Sequence, residues 1–329
     1  MPLPVKVIVL FFVAAVSGGQ LLADYSTDAF AALDKKQFAS AIRLFTLVIK
    51  YNQDDVAAFW GRAGAYHALG EFDKAIEDYN EANRLEPTNV WVLISRGSTW
   101  FDKGDLEKAL ADYGEAIQLD PKSSKAFYSR AMTWQAKGDF DKAIADYTEA
   151  IRLDPKSANA YYCRGTTWQE KGDLDKALGD YDKAIDLNPT YSTAAYSGRG
   201  SVWYARGDFD KALANYEEAV RLDPNDSDAY FNRGTTWQVK GDLDRALADY
   251  DEALRLDPKN ASAYFNRGTI WQIKGDLDKA LADYDESIQL DPKNSRFYSG
   301  RGAIWQAQGE FDKALADYNE ARRLESGKK

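Results

Sequence analysis

The chain has 329 residues, of which 45% are hydrophobic and 29% are charged, and its formal net charge at pH 7 is −10. This hydrophobic share is large enough for a sizeable core, and with only nine prolines the composition excludes a disordered or collagen-like chain. The acidic balance disfavours a protein that binds nucleic acid, because such proteins concentrate positive charge.

The first predicted element is a leader, residues 1–21. Its centre is the unbroken apolar run Val7–Val16, which follows Lys6, the leader's only charged residue, and precedes the small residues Ser17–Gly19. This order is typical of a secretory signal peptide with cleavage near residues 17–23, and the run is shorter than the roughly 17–25 residues of a transmembrane helix. The sequence therefore predicts export to the periplasm or the extracellular space. An uncleaved N-terminal membrane anchor and a buried N-terminal segment are the alternatives.

After the leader the sequence repeats with a period of 34 residues. Seven tryptophans mark this period at intervals of 34 or 35 residues: Trp100, Trp134, Trp168, Trp203, Trp237, Trp271 and Trp305. So regular a period is typical of stacked supersecondary units rather than of two globular domains. Nine repeats, with one inserted residue near Tyr191–Thr193, account for residues 22–328: 22–55, 56–89, 90–123, 124–157, 158–192, 193–226, 227–260, 261–294 and 295–328.

Each repeat is predicted to contain two helices. In repeat 227–260 the first helix carries Tyr230, Gly234 and Trp237 on one face, because these residues are spaced i, i+4 and i+7. Gly241 ends this helix at a position that favours a left-handed backbone. The second helix places its apolar residues on one face: Leu243, Ala246, Leu247, Tyr250, Ala253 and Leu254.

These features resemble the tetratricopeptide repeat (TPR) family, which repeats two helices every 34 residues. The resemblance covers residues 22–328, but the first repeat departs from it, since Lys36 replaces the turn glycine and Gln53 the proline. The resemblance implies an all-α fold, an α-solenoid in which about nine helix-turn-helix units wind into a right-handed superhelix and the first helices line a concave groove. In repeat 227–260 the matching residues are Tyr230, Arg233, Gly234, Trp237, Ala246, Tyr250, Ala253 and Pro258.

An arginine recurs in the first helix of eight repeats, and in seven of them an aspartate follows sixteen residues later. We expect an ion pair between the two helices of a repeat, as between Arg233 and Asp249; binding of phosphate or a polyanion is the alternative. Loss of Asp249 is expected to destabilise more than loss of Arg233, because it leaves a buried charge unpaired. The pairs are Arg62–Asp78, Arg96–Asp112, Arg130–Asp146, Arg164–Asp180, Arg233–Asp249, Arg267–Asp283 and Arg301–Asp317, and Asn215 takes the aspartate's place for Arg199.

No residue pattern predicts catalysis, a metal site or a cofactor. The chain has no glycine-rich phosphate loop, and its single histidine, His67, excludes zinc sites built from several histidines. The single cysteine, Cys163, is interpreted as a packing residue, and the tryptophan row as core packing. An enzyme would need a domain of roughly 100 residues outside the period, and the repeats leave no room for one.

Two rows of side chains on the first helices, at repeat positions 5 and 12, are predicted to face the groove, together with asparagines at position 6. Aromatic rings supply binding energy at low entropic cost, and amides both donate to and accept from a peptide backbone. Alternatively, duplication made neighbouring repeats alike without any use of the groove. The candidate peptide-binding residues are Tyr128, Tyr162, Phe231 and Phe265, then Asn232 and Asn266, and then Gln135, Gln169, Gln238, Gln272 and Gln306.

The sequence therefore predicts a non-catalytic scaffold that binds an extended peptide or a partner protein in the groove, without nucleic acid and without any membrane contact except through an uncleaved leader. The alternative is a non-catalytic subunit of an exported enzyme or envelope assembly complex, docking through its C-terminal face. In the last helix Leu315, Tyr318 and Leu324 remain apolar, whereas Arg322 replaces an apolar residue of earlier repeats. An imperfectly capped repeat array has a docking surface, so self-association or partner docking through residues 311–325 is expected.

Overall fold

The computed structural model describes residues 22–189 and 192–327. The predicted leader, and Tyr191 of the predicted insertion, lie outside the described residues. Within those ranges every regular element is a helix and no strand occurs, which confirms the predicted all-α fold. None of the helices in this part of the chain combines the length and the apolar character needed to span a bilayer.

Two helices alternate along the described chain. Odd-numbered helices are the first of each repeat and are called A helices, and even-numbered ones are called B helices. The eighteen described helices are α1 (22–34), α2 (Phe38–Tyr51), α3 (Val56–Ala68), α4 (Phe72–Leu85), α5 (Val90–Lys103), α6 (Leu106–Leu119), α7 (Ser124–Ala136), α8 (Phe140–Leu153), α9 (Ala158–Lys171), α10 (Leu174–Leu187), α11 (Ser192–Ala205), α12 (Phe209–Leu222), α13 (Ser227–Lys240), α14 (Leu243–Leu256), α15 (Ala261–Lys274), α16 (Leu277–Leu290), α17 (Ser295–Ala307) and α18 (Phe311–Ser326).

The chain divides after Thr167 into two compact lobes, an N-terminal and a C-terminal one. In the N-terminal lobe α3 packs against α4, and α4 packs in turn against α5; in the C-terminal lobe α13, α14 and α15 pack in the same order. Short turns join the two helices of each repeat. This helix-turn-helix packing is the arrangement expected of an α-solenoid.

Local hydrogen bonds set the ends of the helices. At the start of α13 the Asp226 carboxylate accepts from the backbone N–H groups of Asp228 and Ala229, at 3.0 and 3.1 Å. Gly241 ends the helix with a left-handed φ of 85°. In the first repeat Lys36 adopts this left-handed conformation, with φ 56°, where the other repeats have glycine.

Small residues on the A helices let the B helices approach closely. A Cβ added to Gly97 would lie 2.8 Å from the Tyr113 ring, and one added to Gly200 would lie 2.8 Å from the Tyr216 ring. Both distances are shorter than carbon atoms tolerate, so a larger side chain would displace the tyrosine. The close contact between the A and B helices therefore depends on these glycines.

Bidentate ion pairs join the A and B helices of a repeat. Arg233 donates from Nε and Nη2 to the two carboxylate oxygens of Asp249, at 2.9 and 2.7 Å, which confirms the predicted pair. The carboxylate is the more buried partner, because the Asp249 side chain is 8% exposed and the Arg233 side chain 20%. The same two-point geometry, at 2.6–2.9 Å, occurs in Arg62–Asp78, Arg96–Asp112, Arg130–Asp146, Arg267–Asp283 and Arg301–Asp317.

In six of the repeats the remaining guanidinium nitrogen, Nη1, donates to the B helix of the preceding repeat. In the N-terminal lobe its acceptors are neutral, as where Arg96 donates to Asn80 Oδ1 at 2.9 Å. In the C-terminal lobe its acceptors are carboxylates, as where Arg267 donates to Asp251 Oδ1 at 2.6 Å. The further contacts are Arg62 to Thr46 and Arg164 to Thr148 in the N-terminal lobe, and Arg199 to Asp182 and Arg301 to Asp285 in the C-terminal lobe.

Candidate binding surface on the A helices

The glutamines at position 12 are hydrogen-bonded to tyrosines of the B helices. In each case the tyrosine hydroxyl donates to the glutamine Oε1, so this oxygen is already used within the repeat. The pairs are Tyr147–Gln135 at 3.0 Å, Tyr181–Gln169 at 2.7 Å, Tyr250–Gln238 at 2.7 Å, Tyr284–Gln272 at 2.9 Å and Tyr318–Gln306 at 2.9 Å. No sequence pattern predicts this contact, because it joins side chains on two helices, twelve residues apart.

The amide Nε2 divides the glutamines into two groups. Gln135 donates to Thr166 Oγ1 at 3.3 Å, and Gln169 donates to Ser201 Oγ at 2.9 Å, so both amides link consecutive A helices. The Nε2 groups of Gln238, Gln272 and Gln306 donate to no atom of the described chain. These three glutamines therefore each present an NH2 group that donates to no described residue, at intervals of 34 residues.

The aromatic side chains at position 5 pack on the tyrosines of the B helices. Phe231 lies 5.9 Å from the Tyr250 ring, and Phe265 lies 5.4 Å from the Tyr284 ring, between centroids. Tyr128 meets the Tyr147 ring edge-on at 5.7 Å. Tyr128, Tyr162, Phe231 and Phe265 are all half-buried, so each ring keeps part of its surface in solvent.

The two asparagines at position 6 differ in their contacts. The Asn266 side chain lies close enough to the Tyr250 hydroxyl of the preceding repeat to lower the pKa of that tyrosine, against the larger effect of burial, which raises it. The Asn232 side chain makes no hydrogen bond to the described residues and is half-buried.

His67 and Cys163 take part in packing contacts between consecutive A helices. His67, at position 12 of its repeat, contacts Thr99 Oγ1 through Nδ1 at 2.8 Å and Asp102 Oδ2 through Nε2 at 3.0 Å. The Cys163 thiol lies 3.4 Å from the Tyr128 hydroxyl, and burial raises its pKa, which keeps it a neutral thiol. In the described residues no group of His, Cys, Asp or Glu side chains has the arrangement of a metal site.

The tryptophan row is only partly the core packing expected from the sequence. Each indole packs against the core with one part and is half-exposed, and a cation of the following B helix lies over its ring. Lys108 Nζ is 4.1 Å from the Trp100 centroid, and the Arg245 guanidinium is 4.6 Å from that of Trp237. The other five indoles lie under Lys142, Lys176, Lys211, Lys279 and Lys313 at 4.1–4.5 Å. Because the chain's own cations cover these rings, the row is a structural feature of each repeat.

A cleft that the sequence analysis did not identify lies between the second and third repeats. We name it the Trp60–Trp91 cleft. Trp60 donates from Nε1 to Ser95 Oγ at 3.1 Å, which fixes its ring, whereas Trp91 is 64% exposed. The available signal was an aromatic residue at position 2, where other repeats have Lys125, Asn159, Asp228, Ser262 or Arg296. The cleft has a volume of about 510 Å³ and is lined by Val56, Ala57, Trp60, Glu86, Asn89 and Trp91.

Comparison with protein families gives matches along most of the described chain. A family model described as "Tetratricopeptide repeat" matches residues 29–90, 197–261, 238–295 and 274–328. A model described as "TPR repeat" matches residues 97–133 and 136–172, and a second tetratricopeptide repeat model matches residues 158–191. A search of curated proteins found no match.

Solved structures with the same helical arrangement include several repeat proteins. A tetratricopeptide repeat protein from Parabacteroides merdae is 23% identical with a TM-score of 0.60, over 77% of this chain and 99% of that one. The APC/C hetero-tetramer Cut9–Hcn1 is 17% identical with a TM-score of 0.61, over 84% of this chain and 54% of that one. YrrB, described as a TPR protein with an unusual peptide-binding site, is 25% identical with a TM-score of 0.47, over 57% of this chain and 96% of that one.

Proposed function

The chain belongs to the tetratricopeptide repeat family, whose members bind protein or peptide partners, and we propose that it is a non-catalytic scaffold that binds an extended segment of a partner protein along its A helices. The observation that carries this proposal is the row of amide donors of Gln238, Gln272 and Gln306. An extended peptide presents carbonyl acceptors at regular intervals, so a periodic row of donors suits a peptide backbone.

The half-buried aromatic residues support the same ligand. Phe231 and Phe265 lie seven residues before Gln238 and Gln272 on the same A helices, so each repeat pairs one apolar surface with one donor. A ligand that contacts both obtains apolar burial from side chains and orientation from its backbone. Recurrence of this pair in consecutive repeats favours a long ligand over a single reaction centre, and we propose that the protein acts without catalysis.

The test removes the donor and keeps the repeat intact. In Gln238→Glu/Gln272→Glu each new carboxylate still accepts from its tyrosine but no longer donates. A peptide library displayed on phage is selected on the wild-type protein, and dissociation constants of the enriched peptides are measured by calorimetry. We expect the double variant to bind about ten times more weakly or worse.

The matched control adds the same charges beside the row. Val239→Glu/Ile273→Glu changes two exposed neighbours of the glutamines, and its affinity for the same peptides is expected to stay near that of the wild type. Equal affinity of the wild type and the glutamine variant for every enriched peptide would refute the proposal. A library that yields no enriched peptide would refute it as well.

We propose in addition that the protein is exported, on the strength of the leader pattern at residues 1–21. The test is fractionation of expressing cells, followed by mass spectrometry of the N-terminus. We expect the protein outside the cytoplasm and a new N-terminus near residues 17–23. An intact leader on a cytoplasmic protein would contradict export, and an intact leader in the membrane fraction would indicate an uncleaved anchor.

A second candidate function is docking through the C-terminal face, which we define as Phe311, Leu315, Tyr318 and Leu324 of α18. The observation in its favour is exposure: Phe311 is 69% exposed and Leu315 59%. Exposed apolar side chains on the last helix of a repeat array suit docking to a second copy or to an assembly subunit. Light scattering of Leu315→Glu beside the wild type tests it, and a wild type that stays monomeric at high concentration and binds partners as the variant does would end this alternative.

A further inference from the structure

We propose that the Trp60–Trp91 cleft binds the guanidinium of an arginine side chain in a partner protein. This inference rests on the proposed function and adds the chemistry of the partner. The two indoles offer aromatic faces and Glu86 offers a carboxylate. A guanidinium suits both, because it is planar, stacks on aromatic rings and pairs with a carboxylate through two N–H groups.

At two other repeat junctions, a cation lies near the aromatic ring that corresponds to Trp60. Between the fourth and fifth repeats, Lys125 Nζ lies 6.0 Å from the centroid of Tyr128, the equivalent of Trp60. Both residues line a smaller cleft of about 180 Å³, together with Asp154, the equivalent of Glu86. Between the eighth and ninth repeats, the guanidinium of Arg296 lies 5.2 Å from the ring of Phe265. At both junctions a cation of the chain itself therefore lies near the aromatic ring at position 5.

The Trp60–Trp91 cleft keeps the aromatic and acidic parts of this arrangement but contains no cation of its own. Ala57 stands where the fourth repeat has Lys125, and Trp91 stands where the ninth repeat has Arg296. Glu86 accepts from Asn89 Nδ2 at 2.8 Å and forms no ion pair with any described residue. A cation that completes the arrangement would therefore come from another molecule.

The charge around the cleft supports a basic partner. Asp54 and Asp55 directly precede Val56 of the cleft wall, and the whole chain carries a net charge of −10. An acidic surface attracts basic segments and raises their association rate. A purely apolar side chain would contact the indoles but would form no ion pair with the Glu86 carboxylate.

The test compares arginine with an uncharged analogue of the same shape. The full chain is labelled with 5-fluorotryptophan, and the fluorine signals of Trp60 and Trp91 are assigned with Trp→Phe variants. N-acetyl-arginine methylamide and N-acetyl-citrulline methylamide are then titrated separately. We expect arginine to shift both signals saturably and citrulline to bind about tenfold more weakly. Equal binding of citrulline, or no saturable shift with arginine, would overturn the inference.

A variant that supplies its own cation gives the second test. In Ala57→Lys the new ammonium should occupy the cleft as Lys125 does in the fourth repeat, and the arginine response is expected to disappear. Ala194→Lys adds the same charge at the equivalent exposed position of the sixth repeat and should leave the response unchanged. Glu86→Gln should weaken arginine binding several-fold. Circular dichroism checks that the variants remain folded.

These measurements separate this inference from the proposed function. An arginine response that survives Ala57→Lys would overturn the inference, because binding would then not occupy the cleft. A cleft that gives no response, in a protein whose library peptides still depend on Gln238 and Gln272, would overturn the inference and leave the proposed function standing.

Discussion

At the scale of single residues, the tyrosine of the B helix determines what the position-12 glutamine presents to a ligand. Burial raises the pKa of Tyr250 to about 12, so its hydroxyl stays protonated and donates to Gln238 Oε1. This bond occupies Oε1 and leaves Nε2 as the group that can bind a ligand, whereas a freely rotating glutamine would offer both donor and acceptor. The glutamine, which could otherwise donate or accept, therefore acts as a hydrogen-bond donor.

The Arg233–Asp249 pair yields the first prediction. The sequence predicts that loss of Asp249 destabilises the protein more than loss of Arg233, but the structure supports the reverse ranking. Loss of Arg233 leaves the more buried partner, Asp249, unpaired. Loss of Asp249 leaves Arg233 with the nearby negative charge of Glu217. We expect Arg233→Leu to cost about 3–5 kcal/mol and Asp249→Ala clearly less. Urea unfolding of both variants measures the difference, and a smaller loss for Arg233→Leu would restore the expectation from the sequence.

The left-handed residue of the first repeat yields the second prediction. Lys36 has a φ of 56°, a conformation that costs a non-glycine residue about 1–2 kcal/mol. Lys36→Gly removes this strain, but glycine also raises the conformational entropy of the unfolded chain, which opposes folding. We therefore expect a net stabilisation of about 0.5–1 kcal/mol. Gly241→Lys is the inverse control and should destabilise. Unchanged unfolding midpoints for both variants would contradict the argument.

At the scale of helices, aspartates that cap the B helices yield the third prediction, which concerns pH. A hydrogen bond from the lysine three residues later, and a second one from its backbone N–H, lower the pKa of each carboxyl below its ordinary value of 3.8. Their stabilisation is therefore complete above that value and is lost as the pH falls through the lowered pKa. Five capping residues have this lysine, namely Asp105, Asp139, Asp173, Asp208 and Asp276, whereas the cap of α14, Asp242, has Arg245 in the lysine's place.

The measurement is helical ellipticity during acidification. We expect the wild type to lose helicity below about pH 4, because the protonated caps no longer accept from the lysines. A variant with asparagine at all five capping positions keeps a good helix cap that does not titrate, so its acid transition should be shallower. Identical acid transitions for the two proteins would show that other carboxylates control the loss.

The sequence predicts those features of the fold and the site that are local or periodic. The caps, the left-handed glycines and the Arg233–Asp249 pair follow from spacing, because each recurs at a fixed position of the 34-residue period. The bond between Gln238 and Tyr250 was beyond this reasoning, since it depends on the orientation of two side chains on different helices. The Trp60–Trp91 cleft was missed for the opposite reason: it arises from residues that break the period.

At the scale of the whole molecule, the charge at the repeat junctions differs between the lobes and yields the fourth prediction. Arg96 donates to neutral Asn80 in the N-terminal lobe, whereas Arg267 and Arg301 donate to Asp251 and Asp285 in the C-terminal lobe. These aspartates are more than half exposed, so salt screens their contribution of about 0.2–1 kcal/mol per junction. High salt should therefore loosen the C-terminal lobe more than the N-terminal one.

Hydrogen exchange at low and high salt tests this prediction. Protection of α13–α17 should fall on addition of salt, and protection of α3–α7 should change little. Asp251→Asn/Asp285→Asn gives the C-terminal junctions neutral acceptors, as Asn80 does for Arg96, and should make the two lobes respond alike. A salt response that is equal in both lobes of the wild type would contradict the prediction.

The bonds that six of the arginines make to the preceding repeat also bear on how such a chain gains or loses repeats during evolution. Excision of one period, residues 90–123, would replace Gly114 by Asn80 as the neighbour of Arg130, and Asn80 has the side-chain acceptor that glycine lacks. Unequal crossing-over within a lobe would thus leave the charge of the arginine's acceptor at each junction unchanged. Crossing-over between lobes would put a neutral acceptor where a carboxylate stood, or the reverse, so only recombination between like repeats would keep this difference between the arginine acceptors of the two lobes.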